Sequence, residues 1–251
     1  MNRIKKWLNS PNFSDVTASI GAIVVGLMFG LIVLFITNAK QALPAFGTIL
    51  SGGFTGGAKG AGNVLYTATP LILTGLSVGF AFKTGLFNIG ASGQLIVGGF
   101  VAILIGVKGG ALGSFQWVVA LIGAMAAGAL WAAVPGALKA FFNVHEVISS
   151  IMMNYIGMYL VNMLVVEMVY DKLKNQSLLI NTSAYLPTLG LDTLTEGSSL
   201  NSGFFIAILF VIITHIILNK TVFGYELIAC GHNPEASKYA GIKSKINVLL
   251  A

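Results

Sequence analysis

The stretch TVFGYELIACGHNPEASKYAGI, residues 221–242, is a polar interval between two apolar runs, one ending near Leu218 and the other starting near Ile246. Gly224 and Gly231 interrupt it. Asn233 followed by Pro234 reads as an N-cap and a first helical residue. Glu235 then falls in the first turn, where the helix dipole favours an acid. This chemistry predicts a short helix over residues 234–240, closed by Gly241, with Lys238, Lys243 and Lys245 around it. Held between two membrane-crossing runs, such a helix must lie flat at the membrane surface, open to whatever docks there. An ordinary positively charged loop at the inner face fits the same pattern.

The composition explains why the flanking runs must cross a membrane. Of 251 residues, 56% are hydrophobic and only 9% charged, with a mean hydropathy of +0.87. A soluble domain carries about 25% charged residues, so this chain has too little polar surface to cover its apolar side chains. Apolar runs of about 20 residues recur, the length that spans a bilayer as a helix. They are continuous, unlike the alternating strands of about 10 residues in an outer-membrane barrel. The expected fold is an all-α polytopic membrane protein with about six complete transmembrane helices and the start of a seventh. The net charge of +6 is no nucleic-acid signal, because the basic residues sit at span ends. Cys230 is the only cysteine, which excludes an intrachain disulfide. The 31 glycines fit close helix packing in lipid.

Taken in order, residues 1–15 carry Arg3, Lys5, Lys6 and Trp7 and read as an amphipathic lead-in, with no clean signal-peptide cleavage site after them. Spans are expected at about residues 16–37, 64–82, a third ending near Val107, 117–140, 147–169 and 203–218. Residues 38–63 read as an external loop or a short re-entrant segment. Within them, residues 52–59 fail as a phosphate loop: Ala58 stands where lysine must follow the second glycine. Residues 83–99, KTGLFNIGASGQLIVGG, place Asn88, Gly90, Ser92, Gly93 and Gln94 at the entry of the third span. That predicts a helix that starts late or is broken, which survives at membrane depth only against protein or a water-filled cavity. In the fifth span, Asn154 and Asn162 share one face. Amides in spans line solute paths or hydrogen-bond neighbouring helices, and both readings stand for Asn88, Gln94, Asn154 and Asn162. His145 and Glu146, at a span end, read as solvated rather than as a metal or catalytic pair. Residues 170–202 form the longest polar segment and read as an external docking or lid loop.

With the N-terminus inside, the inner segments hold Arg3, Lys5, Lys6, Lys83, Lys139, Lys220, Lys238, Lys243 and Lys245. The outer ones hold only Lys40, Lys59, Lys108, Lys172 and Lys174. This asymmetry predicts a cytoplasmic N-terminus and places residues 219–245 on the cytoplasmic side.

Three stretches together resemble the permease family of ABC importers for branched-chain amino acids, ribose-type sugars and nucleosides. They are FKTGLFNIGASGQLIVGG at residues 82–99, NVHEVISSIMMNYIGMYLVN at 143–162 and FGYELIACGHNPEASKYAGI at 223–242. The first two look most like the subgroup that takes up purine and other nucleosides. The resemblance implies one transmembrane permease domain over residues 1–251 that stops short of the full set of helices. It also implies that residues 219–245 are the cytoplasmic coupling loop, with Gly231, Asn233, Pro234, Glu235, Ala236, Lys238, Tyr239 and Gly241 facing an ATP-binding subunit. A second permease, identical or not, and an extracytoplasmic substrate-binding lipoprotein complete the implied assembly in the bacterial cell membrane. ATP and magnesium belong to the partner, and no cofactor is expected here. Ile228 stands where relatives usually have arginine, and Ser92 where an acid is common.

Two other function classes are weaker. An ion-coupled secondary transporter normally needs charged groups at membrane depth, but Glu167 and His215 both lie near span ends. A membrane-embedded enzyme needs a cluster of acids, bases or metal ligands, and three scattered histidines with one cysteine make none.

Overall fold

The computed structural model describes the backbone of residues 11–251 and the side chains from residue 17 onward. The lead-in with Arg3, Lys5, Lys6 and Trp7 lies outside the described residues.

Two compact units divide the chain, residues 1–64 and 65–251. The first holds α1 (Pro11–Asn38) and α2 (Ala42–Ser51), which pack together, and the opening of α3 (Gly57–Lys83). Where the sequence predicts a loop or re-entrant segment there is a ten-residue apolar helix, α2, followed by turns.

The second unit takes α3 from Leu65 and adds α4 (Ala91–Lys108), α5 (Gln116–Phe142) and α6 (Glu146–Met168). After them come a two-stranded ribbon, β1 (Tyr170–Asp171) and β2 (Gln176–Ser177), and a one-turn helix, α7 (Leu191–Leu194). The chain ends in α8 (Gly203–Lys220), α9 (Val222–His232), α10 (Pro234–Tyr239) and α11 (Ser244–Leu250). Six helices among the described residues are long and apolar enough to cross a membrane. The protein is an all-α polytopic membrane protein. Its surface fits that solvent: Ile36, Leu130 and Tyr159 are 78%, 73% and 68% exposed, an arrangement that water penalises and lipid does not.

Small residues let the helices approach. A Cβ on Gly98 of α4 would lie 2.9 Å from the Ala124 carbonyl of α5, and one on Gly157 of α6 would meet the Trp131 ring at 3.3 Å. Trp131 also donates to the Met153 carbonyl at 3.3 Å, which ties α5 to α6.

At the other end of α4, Gln116 is fully buried. Its Nε2 donates to the Ile105 and Gly106 carbonyls at 2.7 and 3.0 Å, and its Oε1 accepts from the Ser183 hydroxyl at 2.6 Å. The Asn181 N–H reaches the Gly106 carbonyl as well, at 2.9 Å. The last carbonyls of a helix have no partner within it. Here the long polar segment supplies part of that cap, so residues 180–184 are fastened onto α4 rather than hanging free.

Candidate functional site

The late start of the third span is present. Residues 84–90 are non-helical, and α4 begins at Ala91. Asn88 builds the turn: its Oδ1 accepts from the Gly90 N–H at 2.9 Å and from Gln94 Nε2 at 3.4 Å. A backbone N–H can only donate, so this bond fixes the orientation of the Asn88 amide. Gln94 must then present its nitrogen to Asn88. Neither Asn88 Nδ2 nor Gln94 Oε1 makes a hydrogen bond among the described residues, which leaves a donor group on Asn88 and an acceptor on Gln94 unspent.

Asn154 of α6 holds this break from the other side. Its Nδ2 donates to the Ile89 carbonyl and its Oδ1 accepts from the Gly93 N–H, both at 2.9 Å. Gly93 is where the backbones must approach: a Cβ there would sit 2.7 Å from Asn154 Oδ1 and 3.0 Å from its Cα. Asn162 is exposed two turns further along α6 and makes no hydrogen bond among the described residues. The four amides expected to share a path thus divide. Asn88, Gln94 and Asn154 meet at the break, and Asn162 stands apart.

A cavity of about 740 Å³ opens beside the break. Phe87, Asn88 and Gln94 line it from the break and α4, and Ala124, Gly128 and Ala132 form part of the α5 wall. Ser77, Ser150 and the Leu249 end of α11 complete much of the remainder. Small-molecule sites occupy about 300–1,000 Å³, so the space suits a single small solute. Asn154 and Asn162 are not in the lining. Lys139 and Glu146 also line it, joined by an ion pair of 2.9 Å. Glu146 is therefore not the solvated acid the sequence reading expects. The three-residue link 143–145 folds the start of α6 back on the end of α5, bringing the two charges together, while His145 stays exposed.

The interval 221–242 is more ordered than its glycines imply. Thr221 closes α8 and opens α9 with one hydroxyl, donating to the Ile217 carbonyl at 2.6 Å and accepting from the Gly224 N–H at 3.1 Å. That is an N-cap, and it lets α9 run through both Gly224 and Gly231. The signal was legible as a threonine before an apolar stretch, but reading Gly224 as a breaker hid it. The second cap is as expected: Asn233 Oδ1 accepts from the Ala236 N–H at 3.0 Å, Pro234 is the first helical residue, and Gly241 has φ +84°. Ser237 faces inward, while Ala236, Lys238, Ala240 and the 92% exposed Tyr239 face out. Buried Asn247 of α11 donates to Glu226 of α9 at 3.0 Å and fixes the two helices together. Nothing in the sequence marked Gln116 or this pair, because each partner lies far away along the chain.

A family model described as the branched-chain amino acid transport system / permease component matches residues 60–251. The chain belongs to this permease family. Among curated relatives, the guanosine ABC transporter permease protein NupP of Bacillus subtilis (strain 168) is 39% identical over 228 residues, covering 91% of this chain and 65% of that protein. The nucleoside ABC transporter permease protein NupB of Lactococcus lactis subsp. cremoris (strain MG1363) is 36% identical, covering 92% of this chain and 64% of that one. The glucose ABC transporter permease protein TsgB13 of Haloferax volcanii is 33% identical over 71% of this chain and 49% of its own length. The chain therefore spans less than two thirds of the length of these permease relatives. No solved structure matches it.

Proposed function

We propose that this chain forms the solute-conducting part of a permease subunit in an ATP-driven importer of nucleosides. The cavity carries the reading. It has the volume of a small-solute site, and its wall presents an unspent donor on Asn88 and an unspent acceptor on Gln94 beside the exposed ring of Phe87. A nucleobase offers an edge of alternating donors and acceptors and a flat face that stacks on an aromatic ring. A hexose offers hydroxyls but no aromatic face. The printed names of the two relatives at 39% and 36% identity, guanosine and nucleoside permeases, support the same solute class.

The relatives at 39% and 36% identity are named as ABC transporter permeases, so energy is expected from an ATP-binding partner docked at the 219–245 loop. The exposed Ala236, Tyr239 and Ala240 give that loop an apolar face, with Lys238 at its edge. A second permease subunit, identical or different, and an extracytoplasmic substrate-binding lipoprotein are the other proposed partners. The cytoplasmic N-terminus implied by the lysine and arginine distribution places residues 170–202 toward that lipoprotein. The solute class is tested by uptake of labelled guanosine into cells expressing the full-length permease with its partners. Competition by unlabelled purine nucleosides but not by glucose is expected, and Asn88→Leu and Gln94→Leu should each weaken it. Competition by glucose alone would overturn the nucleoside reading.

A further inference from the structure

We infer that Gly85 and Gly231 form a positioning contact that carries displacement of the coupling loop to the cavity wall. The inference rests on the proposed function and names the route by which its two halves communicate. The two glycines belong to separate motifs and meet in the fold. A Cβ on Gly85 would lie 3.1 Å from the Gly231 carbonyl oxygen and 3.2 Å from its Cα. A Cβ on Gly231 would lie 2.9 Å from both the Gly85 nitrogen and the Thr84 carbonyl carbon, and would also strike the Lys83 carbonyl oxygen. All of these are backbone atoms, which cannot swing aside as a side chain can.

Gly85 has φ +74°, so its own turn already favours glycine. Gly231 is different. It lies in the last turn of α9 and is not among the glycines with positive φ. Space, not backbone conformation, accounts for it. The surroundings are tight: Ala81, Thr84, Leu227 and Cys230 are all buried, and the Thr84 hydroxyl has no hydrogen-bond partner among the described residues. Close-packed backbone transmits displacement instead of absorbing it.

The contact also stands at a short remove from both functional ends. Toward the loop, Gly231 lies just before Asn233, the cap of α10. Toward the cavity, Gly85 lies just before Asn88, and the far end of the break is pinned by Asn154 at Ile89 and Gly93. A push on α10 thus reaches Asn88 and Gln94 through α9 and the 83–90 turn, with Asn154 as the fixed end.

The test uses the full-length permease assembled with its ATP-binding subunit and receptor in lipid nanodiscs. ATPase activity is measured with and without solute-loaded receptor. In Gly231→Ala the ratio of stimulated to basal ATPase activity should fall about tenfold, within the usual range of coupling between sites; Gly85→Ala should behave alike. A purely structural role would lower the amount of assembled complex but leave the stimulation ratio of the surviving complex unchanged, and that result would overturn the inference. Should Gly231→Ala not assemble, a spin-labelled complex that keeps both glycines decides. Nitroxides at Lys83 and His232, in a Cys230→Ala background, should show the same dipolar broadening with and without trapped ATP. A change would mean that the turn and α9 move separately, and the inference would fail. A wild-type complex that shows no solute stimulation at all counts against the proposed function, not against this contact alone.

Discussion

Replacing Asn154 with leucine removes the clamp on the helix break with little change in side-chain volume. Two hydrogen bonds are lost. The Ile89 carbonyl belongs to an exposed residue and can find another partner. Its loss is costed at the average for an interhelical bond in a membrane protein, about 0.6 kcal/mol. Gly93 is buried in the first turn of α4, and its N–H has no second acceptor among the described residues. An orphaned donor of that kind costs about 1–3 kcal/mol, so the sum is about 2–4 kcal/mol. For a domain of this size that lowers the melting temperature by roughly 5–15 °C. Thermal unfolding of the purified full-length permease in detergent reads the shift, and guanosine uptake reads the consequence for the cavity wall, which should be a clear loss. Asn162→Leu is the matched control: the same substitution on the same helix, at an exposed position without a hydrogen bond among the described residues, should leave both readings unchanged. Equal melting temperatures for the two variants, with normal uptake in both, would refute the claim that Asn154 holds the break.

The other predictions address the two ends of the bundle. Gln116→Leu should destabilise by about 2–4 kcal/mol, because it leaves the Ile105 carbonyl and the Ser183 hydroxyl without their buried amide partner; limited proteolysis should then cut residues 176–186 faster, while an unchanged digestion pattern would mean that the segment is held elsewhere. Ala236→Asp puts an unpaired charge on the outward face of α10, where burial against a partner costs on the order of several kcal/mol; membrane insertion should survive and co-purification with the ATP-binding subunit should be lost. For topology, a cysteine replacing the exposed Leu194, with Cys230 removed, should react with an impermeant reagent from outside the cell, and labelling only after lysis would reverse the orientation.

What was legible in the sequence was what local chemistry determines. Length and apolarity located the six spans to within several residues. The α10 helix could be read from Asn233 and Pro234 alone, because both halves of its N-cap lie within four residues. The break before α4 was visible as Asn88, Gly90 and Gly93 crowding the start of an apolar run. What escaped depends on partners distant in sequence. Asn154 looked equivalent to Asn162 by helical spacing, and only the fold shows that one faces the break and the other does not. Gln116 and Asn247 are ordinary polar residues at span ends until residues 183 and 226 are brought beside them. Glu146 looked solvated because the sharp link after Phe142, with Asn143 at φ 55°, could not be foreseen from its side chains. The α9 helix was missed for the opposite reason: its two glycines read as breaks, whereas Gly231 reflects contact with Lys83–Gly85, not the end of a helix.

The most direct test of the central claim is the energy source for uptake. In proteoliposomes holding the full-length permease, its ATP-binding subunit and its receptor, guanosine entry should require ATP on the side of the ATP-binding subunit and should persist when ionophores dissipate every ion gradient. Guanosine entry that continues without the ATP-binding subunit and stops on adding an ionophore would contradict the account.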